Sequence, residues 1–183
     1  MHIKVKNMVC DRCKSVLKRE LQKAGIEVVQ IELGEVELSE GAKGQMELIR
    51  EILMQNGFEL IEDQEDSFIA EIKKNLIIAL ENGIHQNLSD HLSKSMKKEY
   101  SMLSKMFSAK EGVTIERYFI LLKIERVKEQ IQMGSKTFSE IAYDLDYASS
   151  SHLAKQFKSV TGMSMTDYRK VQQWNRKSLD QIV

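Results

Sequence analysis

Two groups of residues in this 183-residue chain have the types and spacing to do chemistry. Near the start, Cys10 and Cys13 stand three positions apart in Met8-Val9-Cys10-Asp11-Arg12-Cys13. Thiolates one helical turn apart reach a single ion, and soft sulfur favours Cu(I) or another thiophilic metal. Two ligands fall short of the four that a structural Zn²⁺ takes. The same pair is also a redox candidate, closing to a disulfide. His2 is a poor third ligand, because six residues of strand, about 20 Å, separate it from Met8. The second group is a repeat. Leu103-Ser-Lys-Met-Phe107, with Gly112, Thr114 and Tyr118 beyond it, returns as Leu153-Ala-Lys-Gln-Phe157 with Gly162, Ser164 and Tyr168, every pair offset by 50. At about 100° per residue, Leu153, Phe157 and Val160 share one side of a helix and Ser151, Lys155 and Lys158 the other. In the first copy Leu103 and Phe107 point in, while Ser101, Ser104, Lys105 and Ser108 point out. Small hydroxyl residues beside a lysine let a helix enter the major groove closely, donate to base edges and reach phosphates.

These residues need elements to hold them. Ile3, Val5 and Met8 alternate with Lys4 and Lys6, the period of a half-buried strand. Residues 13–24 place Val16, Leu17, Leu21 and Ala24 at helical spacing, and Gly25 ends that helix. Residues 26–38 read as two strands around Gly34, residues 45–55 as a second helix, and residues 58–61 as a last strand. The order strand, helix, two strands, helix, strand is the ferredoxin-like arrangement. The cysteines fall where the first strand gives way to the first helix. Unpaired backbone N–H groups there stabilise thiolates and predict lowered thiol pKa values.

The acidic run Glu62-Asp63-Gln64-Glu65-Asp66 reads as a boundary, followed by an amphipathic helix over residues 67–80. Its stripe of Phe68, Ile69, Ile72, Leu76, Ile77 and Leu80 must be buried on either domain or on its counterpart in a dimer. In the second half, Leu88 and Leu92 correspond to Phe138 and Ala142, so each copy begins with a short helix before a turn and a second helix, the helix-turn-helix pattern. In the second copy that helix opens with the capping box Thr137-Phe-Ser-Glu140. Between the copies, residues 115–131 form a long helix that is apolar over much of its circumference, suited to hold both units at a spacing near one DNA turn, about 34 Å. The expected fold class is α+β: a ferredoxin-like βαββαβ domain over residues 1–63, a connector helix over 64–84, and an all-α domain over 85–183 with two helix-turn-helix units joined by a long helix.

Composition narrows the classes. Hydrophobic residues at 42% and charged residues at 30% describe a soluble globular chain rather than a disordered one. There is no proline where average usage gives about nine, so long irregular loops are not expected. No apolar run reaches the roughly 18 residues that span a bilayer, and residues 1–10 lack the apolar block of a signal peptide. The expected location is the cytoplasm, with no membrane partner. Basic and acidic residues balance at 27 each, yet residues 1–86 carry 11 basic and 16 acidic side chains, and residues 87–183 carry 16 and 11. The basic half is the one suited to a polyanion. An enzyme is not expected, since the chain has no Gly-rich phosphate loop, no nucleophile motif, and no His or carboxylate at ligand spacing beside the cysteines. The single Trp174 reads as a packing residue.

Met-x-Cys-x-x-Cys after a first strand, in this element order and with Gly57-Phe58 opening the last strand, resembles the heavy-metal-associated domain of copper chaperones and metal-transporting ATPases over residues 1–63. The resemblance implies that Cys10 and Cys13 are the metal ligands and that Met8 packs under their loop. Asn7 stands where that family usually has glycine. Residues 85–183 resemble the DNA-binding domain of AraC/XylS-type transcription regulators, through Ile124-Glu-Arg-Val-Lys-Glu129, Ser139-Glu-Ile-Ala-Tyr143, His152-Leu-Ala-Lys-Gln-Phe-Lys158, Thr161-Gly-Met-Ser164 and Tyr168-Arg169. This second resemblance implies base-facing positions at Ser101, Ser104 and Lys105 in the first unit and Ser150, Ser151 and Lys155 in the second. Asp146 takes the place of the usual turn glycine, a change Asp tolerates because it visits left-handed backbone. The expected function is a sequence-specific regulator binding double-stranded DNA, responsive to Cu(I) or another thiophilic metal, with homodimerisation through the connector helix or N-terminal domain. One alternative is a metal chaperone or sequestering protein whose C-terminal half is a docking module. Another is a regulator whose N-terminal domain is metal-free and serves for contacts or as a redox switch.

Overall fold

A computed structural model describes residues 1–83, 87–171, 177 and 182. Trp174 lies outside the described residues. Internal contacts divide the chain into two units, Met1–Lys74 and Asn75–Val183.

The first unit holds strands β1 (His2–Lys6), β2 (Val28–Glu32), β3 (Glu35–Leu38) and β4 (Glu59–Ile61) with helices α1 (Asp11–Lys23) and α2 (Met46–Gln55). The sheet order is β2-β3-β1-β4, all antiparallel, with Ile3 opposite Val36 and Val5 opposite Leu60. That is the ferredoxin-like topology expected from the element order. Alternation on β1 buries Ile3 and Val5 and exposes His2 and Lys4. The buried face meets Leu17 and Leu21 of α1 and Ile49, Ile52 and Leu53 of α2 in one apolar core. Each such side chain contributes about 1.5–3 kcal/mol by leaving water. Two local differences from the sequence pattern have simple causes. Helix α1 starts at Asp11, two residues early, since extended Cys10 serves as its N-cap and Asp11 favours a first turn. A short 3₁₀ segment, Glu40–Gln45, precedes α2, where Gly41 and Gly44 lack the side chains to sustain an α-helix.

Helix α3 runs Gln64–Asn82, and the contact division falls inside it, after Lys74. The segment expected as a connector helix over 64–84 is helical from Gln64 to Asn82. Its stripe of Ile69, Ile72, Leu76, Ile77 and Leu80 is buried within the single chain. In its first turns Ser67 accepts a hydrogen bond from Lys4 Nζ on the exposed face of β1, at 2.6 Å.

The second unit continues with α4 (Leu88–Met96), α5 (Tyr100–Glu111), α6 (Ile115–Met133), α7 (Phe138–Asp144), α8 (Ser150–Thr161) and α9 (Met165–Lys170). Long α6 is buried on two sides. Ile115, Phe119 and Leu122 lie on one and Ile124, Val127 and Ile131 on the other, and it touches α5, α7, α8 and α9. The whole chain is α+β: an antiparallel sheet with helices, then helices alone.

Candidate functional site

Each turn-and-helix copy is built by the same devices. Leu103 and Phe107 of α5, and Leu153 and Phe157 of α8, are fully buried. Phe107 meets Tyr118 edge to face at 5.4 Å, and fifty residues on Phe157 meets Tyr168 in the same way at 5.4 Å. Such pairs add about 0.5–1.5 kcal/mol beyond burial. Helices α5 and α8 end on Gly112 and Gly162, both left-handed at φ 71° and 76°, a conformation that costs glycine nothing. The next helix in each copy is capped by a side chain: Thr114 accepts from the Arg117 N–H, and Ser164 from the Asp167 N–H. The sequence repeat is thus a repeat of geometry, with both helices locked by their inner sides.

Locking the inner sides fixes what faces out. Ser101, Lys105, Ser151 and Lys155 are exposed, and neither lysine has an ion-pair partner among the described residues. Ser104 lies on the flank of α5 and is half-buried; Ser150 is the first residue of α8 and is also half-buried, about 60° from Leu153 on the inner flank. Lys158 adds a second exposed cation to α8 where α5 has half-buried Ser108. The outer sides also carry Met102 and His152, both exposed. Neither stands out in the repeat, since a repeat is detected by what its copies share; their signal is the difference between copies at one offset position.

Phenol rings tie both outer helices to α6. Tyr100 of α5 hydrogen-bonds Glu116, which holds that carboxylate below its usual range. In the second copy, Lys123 of α6 lies over the Tyr147 ring at 5.1 Å and donates to the Leu145 carbonyl at 2.6 Å. Burial pulls the Lys123 ammonium down, opposed by the charge of Asp146. Tyr147 donates to Gln156 of α8 at 2.5 Å and meets the His152 ring edge to face at 5.5 Å. The turn before α8 depends on Asp146, left-handed at φ 54°, as expected for an Asp in place of glycine. The expected capping box at α7 is present: Thr137 accepts from the Glu140 N–H, and Glu140 accepts from the Thr137 N–H.

In the first unit, Cys10 and Cys13 sit half-buried with their sulfurs 3.3 Å apart. Cys10 is the extended N-cap of α1, and its carbonyl accepts from the Lys14 N–H at 3.2 Å, so the helix brings Cys13 one turn round to it. Asn7 turns the preceding loop in left-handed backbone, φ 71°, and donates from its amide to the Gly57 carbonyl at 3.2 Å. Met8 is buried in the core. One expectation is corrected. Burial pushes the Cys13 thiol up, and backbone hydrogen bonds from the loop offset this only in part. The helix start therefore does not by itself give a lowered thiol there. His2, at the far end of β1, is exposed and lies 3.5 Å from Glu37. Among the described residues no group of three or more His, Cys, Asp or Glu is arranged to hold a metal. The donor set on offer is two thiols, which suits a soft ion of low coordination number and not a four-coordinate structural Zn²⁺.

Among the described residues no helix is long and apolar enough to cross a membrane. No curated protein and no solved structure matches the chain. Residues 92–171 match the family model described as a helix-turn-helix domain, a span that begins inside α4 and runs just past α9. That match supports the expected AraC-type region, and with it the chain is read as a DNA-binding transcription regulator.

Proposed function

We propose that this regulator recognises one duplex sequence with both helix-turn-helix units of a single chain, and that Cys10 and Cys13 hold a thiophilic ion, Cu(I) foremost, whose binding changes DNA affinity. The observation that carries the DNA half is the pair of equivalent outer faces, Ser101 with Lys105 and Ser151 with Lys155, each with an exposed lysine that has no ion-pair partner among the described residues, inside the matched region. Ser101, Ser104, Ser150 and Ser151 supply hydroxyls to base edges or phosphates, and Lys105 and Lys155 supply charge. The metal half is supported by two half-buried sulfurs at the start of α1 in a βαββαβ unit, the arrangement behind the resemblance to heavy-metal-associated domains. In this reading Met8 supports the loop from the core, the ion is cargo or signal, and no residue has a catalytic role.

A second reading rests on the same 3.3 Å separation: the thiols close to a disulfide when an external two-electron oxidant takes up their electrons, and the switch is redox rather than metal. One experiment separates the readings. Cu(I) is titrated anaerobically against a competing chelator into the full chain and into its Cys10→Ser/Cys13→Ser variant, while anisotropy follows a DNA site selected from random duplexes. Stoichiometric binding that requires the cysteines and shifts DNA affinity is the expected result. Cysteine-dependent binding with no preferred DNA site instead supports a metal chaperone with a docking module. A shift only after oxidation supports the redox switch.

A further inference from the structure

The two outer faces are equivalent in position but not in chemistry. Relative to fully buried Leu103, Ser101 and Lys105 lie about 160–200° around α5, on the side turned away from the core, and Met102 lies about 100° round on the flank opposite Ser104. Met102 is 43% exposed there, in the first turns of the helix, where recognition helices meet base edges. Single exposed apolar side chains are ordinary on protein surfaces. This one lies about 60° round α5 from Lys105, at the edge of the face assigned to DNA. A thioether offers no donor and only a weak acceptor, so it cannot answer the hydrogen-bonding edges of guanine, adenine or cytosine. The one apolar feature on the floor of the major groove is the C5-methyl group of thymine. An unbranched, polarizable side chain adapts to such a contact. Short neighbours, Ser101 and Ala109, let the helix come close enough to make it. Fifty residues on, the equivalent position is His152, whose ring nitrogens donate and accept, with exposed Lys155 one turn on.

We infer that Met102 reads a thymine methyl in the half-site taken by the first unit, and that the second unit reads its half-site by hydrogen bonds, so the operator is chemically asymmetric. This rests on the DNA-binding reading above. The test begins by selecting sites from a random duplex pool with the full chain. Each thymine of the selected site is then replaced singly by uracil, which removes only the methyl group, and binding is measured for the unaltered protein and for Met102→Ala. In one half, replacing a particular thymine weakens binding about fourfold, the worth of one buried methyl-sized group. Met102→Ala weakens binding to the thymine site by a similar factor and abolishes the uracil effect at that position alone. Circular dichroism and thermal unfolding of Met102→Ala stay unchanged, as its side chain is outside the core. The inference is overturned if every uracil effect is the same in both proteins, or if a half-site contacted by the first unit holds no thymine. A pool that enriches no sequence rejects the DNA-binding reading itself, and this inference with it.

Discussion

Replacing Lys105 and Lys155 together by alanine tests the DNA face most directly. Both ammonium groups are exposed on the outer sides of α5 and α8, and neither is committed to an ion pair among the described residues. Their charge is therefore available to phosphate. A phosphate contact in duplex DNA releases about 0.9 counterion, so each lysine adds about 0.9 to the slope of log affinity against log salt. At 0.1 M salt that release strengthens binding about eightfold per lysine, and about sixtyfold for the pair. Changing salt from 50 to 200 mM, the double variant should lose about twelvefold less affinity than the unaltered protein does, because its slope is lower by about 1.8. The assay is fluorescence anisotropy of a selected duplex across that salt range, with thermal unfolding alongside. Exposed substitutions of this kind shift stability by less than about 0.5 kcal/mol, so the fold serves as its own control. Unchanged affinity together with an unchanged slope would refute the assignment of these faces. Reduced affinity with an unchanged slope would refute the phosphate role and leave the lysines as base readers.

Phe107→Ala and Phe157→Ala each remove a fully buried ring from equivalent positions, and each should destabilise the protein by about 3–5 kcal/mol in urea unfolding. A loss below about 1 kcal/mol at either position would show that the two copies do not share one packing scheme. Lys97→Gly should stabilise by about 1 kcal/mol, since Lys97 ends α4 in left-handed backbone at φ 52°, which glycine adopts freely; a destabilised variant counts against it. Burial pushes the Tyr147 phenol up to about 12, so the folded chain keeps a proton that the unfolded chain gives up near 10. That stabilisation is complete below pH 10 and is lost as pH rises from 10 to 12, and Tyr147→Phe should flatten this fall in a pH series of urea midpoints. An identical alkaline fall in the variant would assign it to another group.

Much of the architecture is written in local pattern. The alternation of Ile3 and Val5 with His2 and Lys4 selects the strand face, Thr137 and Glu140 announce their capping box, and the offset of 50 announces two copies of one unit. These signals are legible because period, caps and repeats act between residues close in sequence or identical in type. The lysines and serines of the outer faces follow from the same arithmetic, since burying Leu103, Phe107, Leu153 and Phe157 leaves only one side of each helix for solvent or a partner.

What local pattern does not carry is anything set by neighbours distant in the chain. The stripe of α3 has the same spacing whether a dimer, a domain or its own chain covers it, and only tertiary packing decides that it is buried within one chain. The thiol of Cys13 sits at a helix start that favours its charged form, yet it is half-buried, and burial pushes it up. The tie from Lys123 through Tyr147 to His152 and Gln156 joins α6 to α8 across a turn, through side chains with no common spacing. The sequence by itself therefore determined the elements, the duplication and the chemistry on each outer face. Tertiary structure alone decided which stripes are closed and how the thiols are solvated, because desolvation depends on every atom that surrounds a group and not on the few that adjoin it in the chain.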